Sequence, residues 1–208
     1  GRAALEAANI AANNNTANGL IAYVQAIDGP ATLTFRDIEA GRNAENGVDV
    51  HGVVAYGFGS PASATFTRVT ANDNGGDGLS MVGVYSDYGQ GVLRFDTVTA
   101  DGNDLHGLAF DWCAVFGGGD DTVSALEMNN VNARGNTLDG IFFPAYGVIT
   151  AGTAGDALLT MNHVIADGNG SSGIYVYNYA AMAGGDGARA DVWLTDVRAN
   201  ENGYSGLS

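Results

Sequence analysis

An eleven-residue phrase recurs seven times along the chain, and three of its positions never change. The copies begin at Ile10 (IAANNNTANGL), Ile38 (IEAGRNAENGV), Val69 (VTANDNGGDGL), Val98 (VTADGNDLHGL), Val131 (VNARGNTLDGI), Val164 (VIADGNGSSGI) and Val197 (VRANENGYSGL). Each reads branched apolar, any, Ala, any, any, Asn, three of any, Gly, branched apolar. The alanines are 12, 40, 71, 100, 133, 166 and 199, and the glycines are 19, 47, 78, 107, 140, 173 and 206. The asparagines are Asn15, Asn43, Asn74, Asn103, Asn136, Asn169 and Asn202. Glycine-to-glycine spacings run 28, 31, 29, 33, 33 and 33. A fixed period of this length requires a solenoid, a propeller or another stacked array.

The residues upstream of each phrase decide among these. Five before the branched position stand Leu5, Leu33, Ala64, Leu93, Leu126, Leu159 and Val192. Three before it stand Ala7, Phe35, Phe66, Phe95, Met128, Met161 and Leu194. Apolar residues two apart are the period of a strand. "TLTFRDIEA" therefore predicts a strand, a polar corner at Arg36-Asp37 and a second short strand. A third strand follows the repeat glycine, as in "GVDVHG" and "GIYVYN", and a looser segment such as "YSDYGQG" or "AMAGGDGAR" takes up the length variation. Two-helix repeats need long 3.6-period stretches of helix formers, which Gly, Asn, Thr and Val do not supply. A propeller blade needs more residues. The fold expected is all-β: a right-handed parallel β-helix, one domain over 1–208, with about seven coils of 28–33 residues and three short strands per coil. At one strand spacing per coil, seven coils span roughly 34 Å.

The invariant positions acquire causes in that frame. An inward asparagine can hydrogen-bond to backbone and to its equivalents above and below, making a ladder. Alanine suits a cramped corner. Glycine is expected to supply positive φ where the chain turns back into a strand.

At this point the sequence resembles the right-handed parallel β-helices of the pectate-lyase-like superfamily. "GNDLHG" and "DGNGSSGIYVY" are similar to coils of secreted mannuronan C5-epimerases, and the resemblance covers Leu5 to Ser208. It implies the scaffold and a secreted or cell-surface setting, among lyases, epimerases, tailspikes, adhesins and surface fibres. The epimerase catalytic motif is Tyr-Gly-Phe-Asp-Pro-His. Here Tyr56, Gly57 and Phe58 are followed by Gly59, Ser60 and Pro61, so the proton-transferring Asp and His are missing.

Composition narrows the partners. The chain has 8 Arg, no Lys and 23 Asp plus Glu, a net charge of −15. Such a surface repels nucleic acid and anionic membranes, and no apolar run nears membrane-spanning length. No nucleic acid partner and no membrane insertion are expected. Cys113, the one cysteine, lies in the apolar run "FDWCAV" and reads as a packed small side chain.

Outward residues of the strand after the repeat glycine fall two and four positions beyond it: Ile21 and Tyr23, Asp49 and His51, Ser80 and Val82, Ala109 and Asp111, Phe142 and Pro144, Tyr175 and Tyr177. No catalytic set is assigned, but Asp49, His51 and Asp111 are the enzyme candidates, two carboxylates wide-set enough for inverting glycoside hydrolysis. Tyr23, Phe142, Tyr175 and Tyr177 are the binding candidates, as aromatic rings for stacking on saccharide. No cofactor is required. Calcium is the cation that Asp101, Asp104, Asp120, Asp121 and Asp186 would take, since they lie beside flexible glycines. Neither end shows a capping helix, which points to flanking β-helix coils or self-association end to end. Three readings follow. The first is an extracellular structural or adhesive fibre, stalk or surface-layer segment. The second is a polysaccharide-active enzyme of the epimerase or lyase kind. The third is a carbohydrate-binding β-helix.

Overall fold

The computed structural model describes residues 1–208. It is an all-β parallel solenoid of about six full turns, one fewer than the seven copies suggest, because the chain visits the first sheet seven times and the second sheet six times. We number the seven passes as coils 1 to 7 by their ladder asparagines, Asn15 to Asn202. The chain contains no helix long and apolar enough to cross a membrane.

The first sheet has seven parallel strands in chain order: Ala3–Ala11, Ala31–Glu39, Ala62–Thr70, Gly91–Thr99, Val123–Asn132, Asp156–Ile165 and Arg189–Thr195. Pairing places Leu5, Leu33, Ala64, Leu93, Leu126, Leu159 and Val192 in one column. Ala7, Phe35, Phe66, Phe95, Met128, Met161 and Leu194 form the next. The central members of both columns are buried. Phe66 stacks on Phe95 at 5.0 Å, and Phe110 from the facing sheet stacks on Phe143 at 4.8 Å. The corner expected at Arg36-Asp37 does not divide this sheet into two strands. It is a single left-handed residue inside a continuous strand at Asn9, Asp37, Arg68, Thr97, Asn130 and His163, and just past the strand's end at Asp196, with φ between 50° and 60°.

After the repeat glycine the chain enters a ten-stranded sheet that bends in the middle. In coils 1 and 2 one strand runs through the bend, Leu20–Ile27 and Val48–Phe58. From coil 3 onward it breaks in two. Leu79–Met81, Leu108–Phe110, Ile141–Phe143 and Ile174–Val176 make the near half. Val84–Tyr88, Cys113–Gly117, Tyr146–Thr150 and Tyr179–Ala183 make the far half. Coils 3 to 6 thus have the three strands expected and coils 1 and 2 have two, and the third strand comes from the segment read as loose: "VYSDY" and "YAAMA" are paired strands. The bend falls at Gly52 and Gly83, whose φ values of 130° and 138° side chains rarely adopt.

The asparagine ladder is continuous. In each coil the backbone N–H and the Nδ2 of the ladder asparagine both donate to the Oδ1 of its equivalent in the next coil, at 2.9–3.1 Å, from Asn15 to Asn202. Asn43, Asn74, Asn103, Asn136 and Asn169 are buried. The left-handed residue needed here sits one position before the asparagine, at Asn14, Arg42, Asp73, Gly102, Gly135, Gly168 and Glu201.

The repeat glycine has a different cause from the one expected. None of the seven has positive φ. A Cβ at Gly19 would lie 2.5 Å from Asn43 Nδ2 and 2.7 Å from Ala12 O, and one at Gly78 would lie 2.7 Å from Asn103 Nδ2 and 2.8 Å from Ala100 Cβ. The space where a side chain would stand is filled by the next coil's ladder amide and invariant alanine. Close packing explains the glycine and the small alanine together.

Candidate functional site

Stacking turns each repeat position into a column along the axis, and three columns make the outward face of the near half-sheet. The residue before the repeat glycine gives Asn18, Asn46, Asp77, His106, Asp139 and Ser172 in coils 1 to 6. Two after the glycine come Ile21, Asp49, Ser80, Ala109, Phe142 and Tyr175, in the register expected. Four after it come Tyr23, His51, Val82, Asp111, Pro144 and Tyr177.

The first of these columns is a second polar ladder that sequence reasoning missed. Asn18, Asn46 and Asp77 each accept the next coil's backbone N–H through a side-chain oxygen, at 2.8–2.9 Å, and Asp139 does the same for Ser172 at 2.7 Å. A carboxylate or amide oxygen in every one of those coils was the available signal. His106 is clasped within it. Its Nδ1 lies 2.9 Å from Asp77 Oδ1, its Nε2 lies 3.5 Å from Asp139 Oδ2, and all three side chains are largely buried. The imidazole stacks on Phe142 at 4.5 Å and 6°, and Phe142 stacks on Tyr175 at 5.8 Å.

Two sites result. Between coils 2 and 4 the small Ser80 and Ala109 leave a floor bordered by Asp49, His51 and Asp111. Asp49 Oδ2 accepts from Asn18 Nδ2 at 2.8 Å and pairs with His51 Nε2 at 3.1 Å. Burial, and then the charges of Asp49 and Asp77, push the Asp111 carboxyl above its ordinary range. The three enzyme candidates thus share one face. The register sets Asp49 and Asp111 two coils apart, roughly 10 Å along the axis.

Between coils 5 and 7 lies an open cleft of about 410 Å³, lined by Asp139, Phe142, Ser171, Ser172, Tyr175 and Tyr204. Phe142 and Tyr175 form one wall. Tyr204 of coil 7, 83% exposed, also lines the cleft. The Ser172 hydroxyl is buried without a hydrogen-bond partner. Two of the four binding candidates line the cleft. Tyr177 is exposed beside it, whereas Tyr23 belongs to coil 1, four coils from Phe142, and bonds to Gln25. Tyr204 carried no signal in the sequence, because it lies among the variable residues of the repeat phrase.

The calcium candidates do not converge. Asp101 accepts the Arg134 N–H at 2.8 Å, and burial raises its carboxyl. Asp104 lies on the same corner. Asp120 is held below the usual carboxylate range by the Thr153 hydroxyl and N–H. Asp121 is a left-handed turn residue, and Asp186 lies one coil beyond Thr153, its carbonyl accepting the Ala154 N–H. No three His, Cys, Asp or Glu side chains are placed to hold a metal ion. Cys113 is buried, donates to Val115 O and has its thiol pushed up to about 12, which leaves no thiolate at neutral pH.

Comparison with protein-family models, curated proteins and solved structures finds no match to this chain.

Proposed function

We propose that the chain is an adhesive β-helical segment of a secreted or cell-surface protein, and that it holds neutral saccharide in the cleft at coils 5 to 7. The observation that carries this reading is the cleft's lining. A stacked aromatic pair, Phe142 on Tyr175, shares the lining with Tyr204, Asp139, Ser171 and Ser172. Aromatic faces with a few convergent polar groups are the usual chemistry of a ligand site. Large exposed aromatic patches mark partner surfaces. The buried, unpartnered Ser172 hydroxyl supports it as well, since such groups ordinarily find a hydrogen bond. No arginine lines the cleft, and Asp139 does, so a polyuronate would meet like charge. The ladders support the adhesive part, because a stiff rod presents such a site at a set distance. Kinship with the pectate-lyase-like β-helices and mannuronan C5-epimerases belongs to the same proposal, as those proteins handle polysaccharide.

Affinity electrophoresis against neutral glucans, mannans and polyuronates tests it. Retention is expected by a neutral polymer and not by polyuronate at low salt. Tyr175→Ala and Tyr204→Ala are each expected to weaken retention about tenfold, one aromatic stack's worth. Retention unchanged in both variants would remove the cleft from the function.

A second reading, hydrolysis, is favoured by the raised carboxyl of Asp111 facing Asp49. Asp111 would pass its proton to the departing glycosidic oxygen. Asp49 would take a proton from the water whose oxygen bonds to the anomeric carbon. Reducing ends released from the same polymers by wild type but not by Asp111→Asn would move the assignment from binding to catalysis.

A further inference from the structure

The largest cavity in the molecule is not the cleft. It is a groove of about 640 Å³ at the opposite corner, where the far half-sheet hands the chain back to the first sheet in coils 2 to 4. We propose that this groove is a second saccharide-binding site, so that one chain holds two glycan segments at once. The saccharide class rests on the reading of the cleft, while the site itself rests on separate observations.

Phe58 is 94% exposed, and its ring stacks on Tyr88 at 5.5 Å and 14°. Burial explains neither ring, and together they present a flat aromatic face to solvent. The Tyr56-Gly57-Phe58 stretch, left without a role once the epimerase motif breaks off, thereby acquires one. Gly57, at φ 108° and with Asp28 Oδ1 2.6 Å from where its Cβ would stand, lies in the irregular stretch between Ala55 and Phe58 where the strand's register shifts, just before Phe58 at the groove's edge.

The rest of the lining is glycine backbone with Pro61, Gln90, Asp120 and Thr122. Gly59, Gly89, Gly118 and Gly119 face the groove with no side chain over them. The amide N–H groups of Gly89, Gln90, Gly119 and Asp120 have no acceptor within the chain. Asp120 Oδ1 takes both donors of Thr153, and Oδ2 has no hydrogen-bond partner. An aromatic face, free N–H donors and one free carboxylate oxygen match the apolar ring face and the hydroxyls of a pyranose. No arginine lines the groove, so the fit is to an uncharged sugar, as in the cleft.

The two sites lie on different corners and in different coils. A single short oligosaccharide cannot bridge them, whereas two long chains can be joined through one protein. Calorimetric titration with a neutral glucan hexasaccharide, paired with turbidity of the long soluble glucan, separates the cases. Wild type is expected to bind at both sites and to turn the polymer turbid. Phe58→Ala and Tyr175→Ala are each expected to lose about half the binding capacity and all of the turbidity, and the double variant to lose everything. The melting temperature of Phe58→Ala should match wild type, because the ring is uncovered. Capacity unchanged in Phe58→Ala, with binding abolished in Tyr175→Ala, would overturn the second site and leave the cleft standing. The reverse pattern would uphold the groove and overturn the cleft. A wild type that binds no hexasaccharide would overturn both.

Discussion

The asparagine corner and the corner opposite it share one chain and one pitch, yet the first is the same in every coil and the second differs in each. At the asparagine corner, side chains hydrogen-bond to their own equivalents one coil away, so a change in one coil strands partners in two others. At the opposite corner the coils meet mainly through backbone, and the spacing from repeat glycine to the next inward leucine position stretches freely. All of the length variation between 28 and 33 residues falls there, along with Phe58, Tyr88 and Asp120. The opposite corner is thereby free to vary in length and carries the groove, while the cleft uses the variable slots of the asparagine corner, Asp139, Ser171, Ser172 and Tyr204, as binding residues set on a rigid scaffold do.

The comparison is broken most severely at Asn103. Asn103→Leu leaves the N–H and Nδ2 of Asn74 without an acceptor in a buried corner and removes the Nδ2 donor to Asn136, while the backbone N–H of residue 103 remains. A loss of about 3 kcal/mol or more is expected. Urea unfolding should lose its single transition as coils on the two sides uncouple, and an unchanged curve would refute the ladder as the stabilising element.

Two glycines of coils 4 and 5 give the next largest contrast. Gly107→Ala puts a Cβ 2.6 Å from Gly140 O and 2.8 Å from Ala133 Cβ, at ordinary φ. It should cost about 2 kcal/mol through overpacking. Gly135→Ala meets nothing within 4 Å but must adopt φ 60°, which costs only about 1 kcal/mol. Equal losses in thermal melts would mean that the repeat glycine is not there for packing.

The smallest effect is electrostatic. The Asp111 carboxyl is raised in the folded chain, so the fold binds its proton more tightly than the unfolded chain does. Its stabilising contribution is present below the ordinary aspartate range, about pH 3.9, and is lost as pH rises through the raised value. Asp111→Asn should therefore melt slightly higher than wild type at neutral pH, with the gain vanishing toward pH 3. A gain that persists in acid would assign the effect to packing instead of charge.

Much of this architecture was legible in the residues. The period, the columns Leu5-to-Val192 and Ala7-to-Leu194, the outward pairs after each glycine and the asparagine ladder are where the repeat puts them. The site was half legible. Phe142 and Tyr175 were visible because they occupy outward strand positions. Tyr204, His106, Asp139 and Ser172 were not, because they stand in the variable slots between Asn and Gly, where one coil read alone looks like a polar turn. Tyr88 was hidden in a segment read as loose, and Phe58 stood out only as part of the broken Tyr56-Gly57-Phe58 motif.

What the amino-acid sequence by itself determined was the coil: its length, its inward and outward faces and the ladder at its corner. In-register parallel stacking sets each residue beside its own equivalent, so the pattern of one repeat already states its neighbours. Tertiary structure alone decided why the repeat glycine must be glycine, where the third strand forms, and which rings frame the cleft and the groove. Those depend on approaches that spacing does not state: Gly19 meets Asn43 Nδ2 although the two hold different slots of the repeat, and Phe58 reaches Tyr88 only after the strand's register shifts between Ala55 and Phe58.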